Sequence, residues 1–240
     1  MLAPAWPPCH SFHMKKAADT SEATGSVARV TRGDWLDEAL SALVAEGVEG
    51  VRVLALAEHL GVSRSGFYWH FRDRDELLAC LLERWRATNT AAIVERAARP
   101  ASTMVRAVLN VFECWADERL FDPALDFAVR DWARRDAGVR QAVAAADSER
   151  LSAIGAMYRR HGYSEEDALV RARVLYMMQV GYYVLEIREP VKTRLSHLAA
   201  YLRSFTGVEP DAGELADFSA FVLDAAGRGG SGEGRLRAAW

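Results

Sequence analysis

The sequence predicts an all-α chain, with three short N-terminal helices arranged as a helix-turn-helix and a longer helical region behind them. Three observations carry this. Apolar residues recur at i, i+3, i+4 and i+7 along most of the chain, no stretch alternates with the period of two that a strand needs, and glycines punctuate the short N-terminal segments. The domain boundaries that follow are an arm over 1–30, a helix-turn-helix over 31–76, a helical domain over 77–206, and a short helix with a flexible tail over 207–240.

Residues 1–30 are rich in Ala, Ser, Thr and Pro with few periodic apolar positions, the composition of a mobile arm. Met14, followed by Lys15 and Lys16, reads as a translation start better than the Trp-Pro-Pro segment before it, so residues 1–13 are expected to be an upstream extension. Leu36, Ala39, Leu40, Leu43 and Val44 form the stripe of a first helix, closed by Gly47 in a left-handed cap. Val53, Leu56, Ala57 and Leu60 form a second helix of about two turns, stopped by Gly61. Ser63 is placed to cap a third, with Phe67 and Phe71 inward, and Asp73 with Glu76 has capping-box spacing ahead of a long fourth helix through Leu77, Leu78, Leu81, Leu82 and Trp85. Further stripes are Met104 to Trp115, Leu125 to Trp132, and Leu151 to Tyr158. Ser164 with Asp167 opens a helix running to Pro190, Leu195, Leu198 and Leu202 mark another, and Glu214–Ala225 suggests a short last one before a Gly/Ser/Arg tail from Gly227.

Half of the residues are apolar and 26% charged, with a formal charge of −3. That is the composition of a globular chain, and it excludes the disordered and collagen-like classes. The apolar run Leu175–Ile187 is shorter than the ~20 residues a membrane span needs and contains Gln179 and Glu186. The N-terminus has no signal-peptide pattern, and Cys9, Cys80 and Cys114 form neither a disulfide framework nor a C-x-x-C pair. A cytoplasmic protein without membrane contact is the expectation.

The short helices around Gly61-Val62-Ser63 have helix-turn-helix spacing, the arrangement that offers a second helix to the major groove of double-stranded DNA. The run Ala57-Glu58-His59-Leu60-Gly61-Val62-Ser63-Arg64-Ser65-Gly66-Phe67-Tyr68-Trp69-His70-Phe71, followed by Arg72-Asp73-Arg74-Asp75-Glu76-Leu77-Leu78, resembles the signature of the tetracycline-repressor (TetR) family of transcriptional regulators. The likeness is tight over Thr31 to Trp85. Beyond that it is an all-helical outline that includes the Asp126-Phe127-Ala128-x-x-Asp131-Trp132-Ala133 run. It implies a DNA-binding N-terminal domain and a C-terminal ligand-binding and dimerisation domain. The implied homodimer binds an operator and leaves it when a small-molecule effector fills the C-terminal core.

Carried over by position, the groove-facing helix falls on Arg64, Ser65, Gly66, Tyr68 and Trp69, with Tyr68 and His70 at positions that usually touch phosphate. The chemistry suits these roles. Arg64 can bridge guanine O6 and N7, Gly66 lets backbone approach base edges, the Tyr68 phenol can donate to a phosphate, and Trp69 can meet a thymine methyl or a sugar. Ser63 and Arg74, with the free amides opening the fourth helix, complete the set. Arg52 stands where relatives usually place a capping Ser or Thr, so a hydroxyl contact to phosphate is replaced by charge or lost. Seven arginines face ten carboxylates between residues 31 and 86, so the module is not basic on average. Lys15, Lys16, Arg29 and Arg32 are candidates for a basic arm.

Met104, Phe112, Trp115, Phe127, Trp132, Met157, Tyr158, Met178 and Tyr182 are richer in sulfur and aromatic rings than plain filling requires, and are candidates for an adaptable apolar pocket. Val174, Met177, Met178, Gly181, Tyr182 and Leu185, with Leu195, Leu198 and Leu202, alternatively suit a four-helix bundle between two subunits. No cofactor is expected. Cys9, His10 and His13 lack a fourth ligand, so no metal site is expected either. The competing classes are a helical adaptor whose helix-turn-helix docks on protein, and an enzyme with a helical cavity. The second lacks any G-x-S-x-G, P-loop or G-x-G-x-x-G motif.

Overall fold

The structure, a computed structural model, describes residues 30–187 and 189–228. The expected arm, the start at Met14, the Cys9/His10/His13 group, the basic Lys15, Lys16 and Arg29, and the end of the tail lie outside the described residues. Among the described residues the elements are helical throughout, with no strand. None of these helices is long and apolar enough to cross a membrane.

The chain divides into two compact units that are not contiguous in sequence. The first takes the described residues up to Arg84 together with Ala128–Arg140, and the second takes Trp85–Phe127 with the described residues from Gln141 onward. In the first unit, α1 (Arg32–Glu46) starts at a capping box: the Thr31 hydroxyl accepts from the Asp34 amide at 3.3 Å, and the Asp34 carboxylate accepts from the Thr31 amide at 2.6 Å. The Thr31 amide, and the Thr31 hydroxyl that donates to the same carboxylate at 2.8 Å, hold the Asp34 carboxyl below its ordinary range. The buried stripe is Trp35, Ala39, Ala42 and Leu43, while Leu36 and Leu40 lie on its flank and Val44 is exposed. Both sets obey the same 3.6-residue period, so spacing alone left the face undetermined by about one residue. Gly47 has a positive φ of 75° with extended ψ, not the expected left-handed cap.

Helix α2 (Val53–His59) buries Leu56 and Ala57 and ends as expected at Gly61, whose φ is 66°. Val62 N–H donates to Ala57 O at 2.9 Å and Gly61 N–H to Glu58 O at 3.1 Å, the paired bonds of a Schellman turn. The next element is a 3-10 helix, Arg64–Trp69, rather than an α-helix, and Ser63 makes no capping bond to it. Its hydroxyl pairs instead with that of Ser65 at 2.8 Å. Helix α3 (Arg74–Trp85) opens on Asp73, whose carboxylate accepts from the Glu76 amide at 2.8 Å. The return half of the expected box is displaced, because Glu76 accepts from the Arg72 amide and guanidinium.

The expected long fourth helix is interrupted. A π-helical turn, Arg86–Thr90, separates α3 from α4 (Ala91–Ala98). The second unit is built around α5 (Met104–Ala116), which is buried on nearly every side, as an all-round apolar helix must be. Helices α6 (Pro123–Ala133) and α7 (Ala137–Arg160) follow, then α8 (Glu165–Val184) behind the expected Ser164 cap. Helix α8 ends before Pro190, after which α9 (Val191–Thr206) and α10 (Ala212–Arg228) complete the chain. Helix α10 runs through Gly227, longer than expected, and packs Phe218 and Val222 into the core against α5 and α9.

The least expected feature of this core is charged. Arg150 is 0% exposed, and its guanidinium donates to the Asp126 carboxylate at 3.0 and 3.1 Å, to the Thr90 hydroxyl at 3.1 Å and to the Tyr176 hydroxyl at 2.9 Å. Trp85 donates to the same carboxylate at 2.8 Å, and Tyr176 passes its own proton toward Asp147 at 2.6 Å. The cation lies 5.1 Å from the Trp85 ring and 5.6 Å from that of Phe121. Cys80 is buried in α3. Cys114 is free and buried, and burial pushes its thiol up to about 12, which leaves it an inert core residue.

Two stability predictions follow from these geometries. Arg150→Met strands the buried Asp126 carboxylate and should cost about 3–5 kcal/mol in urea unfolding, whereas Arg150→Met with Asp126→Leu recovers most of that loss; a single variant as mild as the double one contradicts this. A Cβ at Gly61 would meet nothing within 4 Å, so Gly61→Ala pays only for its positive φ, about 1–2 kcal/mol by the same measurement.

Candidate nucleic-acid interface

The face built by the turn and the 3-10 helix is set by one aromatic ring. Phe67 is 0% exposed, meets Trp35 edge-on with ring centroids 5.4 Å apart, and stacks on Phe71 at 5.2 Å. With Phe67 fixed inward, its two successors are turned out, Tyr68 being 54% exposed and Trp69 68%. The Tyr68 ring rests edge-on against Phe67 at 5.3 Å, which braces it without covering it. Arg64 and Ser65 are exposed at the start of the same element, and Arg52 is exposed at the start of α2. Arg52 makes no side-chain capping bond to α2. A methyl at Gly66 would meet nothing nearer than Trp35 Cζ2 at 4.0 Å, so packing within the protein does not require glycine there.

Other expected members are engaged elsewhere. Arg74 turns onto the backbone before α2, donating to Val51 O and Val48 O at 2.6 Å each. It braces that loop rather than standing free. His70 is half-buried, and its carbonyl accepts from Arg32 at 3.3 Å. Arg32 lies 4.5 Å over the Phe71 ring and 3.6 Å from Glu76, a packing role that its place near the arm did not suggest. Arg72 is an exposed cation that the sequence reading left out, paired at 3.1 Å with the nearly buried Glu76. Its position directly after Phe71 is the signal that was available.

In the second unit, Met104, Phe112, Trp115, Met157 and Tyr158 share one core, with Met178 packed on it. Tyr182 is half-buried and its hydroxyl pairs with that of Tyr201 at 2.8 Å. Phe127 is exposed, and Trp132 belongs to the other compact unit, so neither joins this group. Among the described residues no cluster of His, Cys, Asp and Glu is placed to hold a metal ion.

Comparison with known proteins agrees with the first unit. The family described as "Bacterial regulatory proteins, tetR family" matches residues 36–81. The tetracycline repressor protein class A of transposon 1721 from Escherichia coli is 39% identical over 102 residues, 42% of this chain and 43% of that protein. The HTH-type transcriptional regulator TtgR of Pseudomonas putida is 31% identical over 93 residues, 37% of this chain and 44% of its own. The chain thus aligns with less than half the length of these relatives. A solved transcriptional regulator from Rhodococcus sp. Rha1 overlays at a TM-score of 0.46 with 16% identity, covering 81% of this chain and 97% of that one. Over residues 36–81, the helix-turn-helix segment, the chain is similar to the TetR family of bacterial regulatory proteins.

Proposed function

We propose that the protein is a homodimeric transcriptional repressor that binds a pseudo-palindromic operator and is released by a small, largely apolar effector held in the second unit. The observation that carries this reading is the outward pair Tyr68 and Trp69 beside Arg64 and Ser65, displayed on an element whose only buried side chain is Phe67. Exposed aromatics of this size are costly to leave in water without a partner. Arg64 is the base reader of the set, by its fork toward guanine O6 and N7, and Ser65 with the Gly66 backbone lies alongside. Tyr68 and Arg52 position the protein on phosphate, and Trp69 meets a thymine methyl or a sugar. Ser63, His70 and Arg74 hold this face in shape rather than reading it.

A second copy of the chain is supported by α8. Val170, Val174, Met177 and Val184 are exposed, with Gly181 between the last two, and this spacing lays one apolar stripe along the helix. Covering that stripe in a four-helix bundle with α9 and its symmetry mates removes it from water and yields the two-fold that a palindromic site requires. Release then works by population shift. An effector that prefers the conformer in which the two recognition helices cannot span successive major grooves depletes the bound form in proportion to that preference.

Footprinting on the DNA flanking the protein's own coding region tests the reading directly. Arg64→Ala should lose about 1–3 kcal/mol on the protected site and relax preference at one base pair, while Tyr68→Phe should weaken all sequences alike. Equal losses on every sequence from both changes contradict the assignment. Val174→Glu with Met177→Glu should shift the protein to monomer in analytical ultracentrifugation and abolish retardation of a two-half-site probe, with helicity retained.

A further inference from the structure

The 3-10 helix Arg64–Trp69 ends on His70, and a carbonyl in that place receives no bond from the helix itself. Arg32, the first residue of α1 and 38 positions away, supplies one: its Nε–H donates to His70 O at 3.3 Å. The same guanidinium lies 4.5 Å from the centre of the Phe71 ring, and its Nη2 is 3.6 Å from Glu76 Oε1. Phe71 stacks on Phe67 at 5.2 Å, and Phe67 carries the Tyr68 ring edge-on at 5.3 Å. A continuous series of contacts thus runs from the start of α1 to the phenol on the proposed DNA face, all of it inside the first unit.

These contacts suit a guanidinium. Its planar fork donates from the edge while its flat face rests on an aromatic ring, whereas a lysine ammonium is a point charge with no face to lay on Phe71 while it donates to the carbonyl. Glu76 keeps the cation in place. Its Oε1 faces Arg32, its Oε2 accepts from the Arg72 amide at 2.9 Å and from Arg72 Nε at 3.1 Å, and its own amide donates to Asp73 at 2.8 Å. Three pieces of the unit therefore meet at Arg32: the first turn of α1, the end of the 3-10 helix and the first turn of α3. Burial of Phe67 decides which side of the 3-10 helix faces inward, but one anchor leaves a short element free to swing about it. The His70 carbonyl gives the second fixed point.

We propose that Arg32 is a positioning residue for DNA recognition: by holding the His70 carbonyl and the Phe71 ring it sets the angle at which Tyr68 and its neighbours are presented, without itself touching DNA. The inference rests on the reading of this face as the DNA-binding surface, and adds to it a residue whose loss changes fit rather than charge.

Arg32→Lys and Arg32→Gln are compared with the unsubstituted full chain in two measurements. One is amide hydrogen exchange without DNA; the other is operator binding across a range of salt, on the footprinted site and on a copy with one base pair changed in each half. In both variants the amides of His70 and Phe71, which donate to Phe67 O at 2.9 and 3.0 Å, should exchange about tenfold faster while those of α2 keep their rates. Operator affinity should fall about tenfold in both, the preference over the altered site should shrink, and the slope of log affinity against log salt should stay as it was. A phosphate contact behaves otherwise: Arg32→Lys then binds normally, and Arg32→Gln flattens the slope by about 0.9 for each lost contact. Either result overturns the proposal. A lowered melting temperature with the exchange pattern and the site preference unchanged marks a merely structural role and overturns it too. Arg32→Lys keeps the charge and carries the test where Arg32→Gln does not fold. Failure of the unsubstituted chain to retard any DNA removes the regulator reading and this inference together, whereas normal retardation with unchanged exchange and preference in the variants removes this inference alone.

Discussion

The exposed face of the first unit depends on the burial of Phe67. A six-residue 3-10 helix has too few backbone bonds to hold its own orientation, and its geometry is poorer than that of an α-helix. Orientation is imposed instead by one ring clamped between Trp35 of α1 and Phe71 just beyond the element. Aromatic pairs with these offsets add directional preference to the area they bury. The Schellman turn at Gly61 delivers the chain to this clamp at a fixed angle, and Arg74 secures the loop on the other side of α2 through two carbonyls. Tyr68 rests edge-on against Phe67 and Ser65 bonds to Ser63, while Arg64, Ser65, Tyr68 and Trp69 stay exposed because Phe67 is held.

The second unit settles its core by a different means. Taking Arg150 and Asp126 out of water carries a large desolvation cost, and an apolar pair of the same volume can be as stable. What the charged pair adds is directional constraint. Its hydrogen bonds tie α7 to the π turn through Thr90, to α6 through Asp126 and to α8 through Tyr176, each at a defined distance. Asn89 ties the same π turn to the start of α6 by exchanging bonds with the Asp122 backbone at 2.8 and 3.2 Å. The irregular turn is therefore held by side chains on both of its buried residues. An isolated π turn would otherwise relax toward the better hydrogen-bonding geometry of an α-helix.

What was legible in the sequence follows the range of each interaction. The Ser164 cap, the Asp73 bond to Glu76 and the Gly61 turn are contacts across three to five residues, and each was readable as a local pattern. The all-helical class and the module at 36–81 were legible for the same reason. The inward turn of Arg74 joins residues 23 and 26 apart, and the Arg150 pair with Asp126 spans 24, so in sequence these were ordinary charged positions. The choice between α and 3-10 after Ser63 was hidden because both place residues three apart on one side.

The engagement of Arg74, Arg32 and Arg72 by protein partners has a consequence for how DNA would be bound. On the proposed reading, Arg52 and Arg64 are the exposed arginines of this face that form no ion pair with a described residue, while Glu76 lies against Arg32 and Arg72. Each phosphate neutralised contributes about −0.9 to the slope of log affinity against log salt. A face with few unengaged cations therefore has a shallow slope and a small sequence-independent term. Its affinity must then come from close fit, through Tyr68, Trp69 and the Arg64 fork, which functions only where the bases match. Scarcity of positive charge in the module, which at first argues against nucleic acid, becomes a means of suppressing binding to the wrong site.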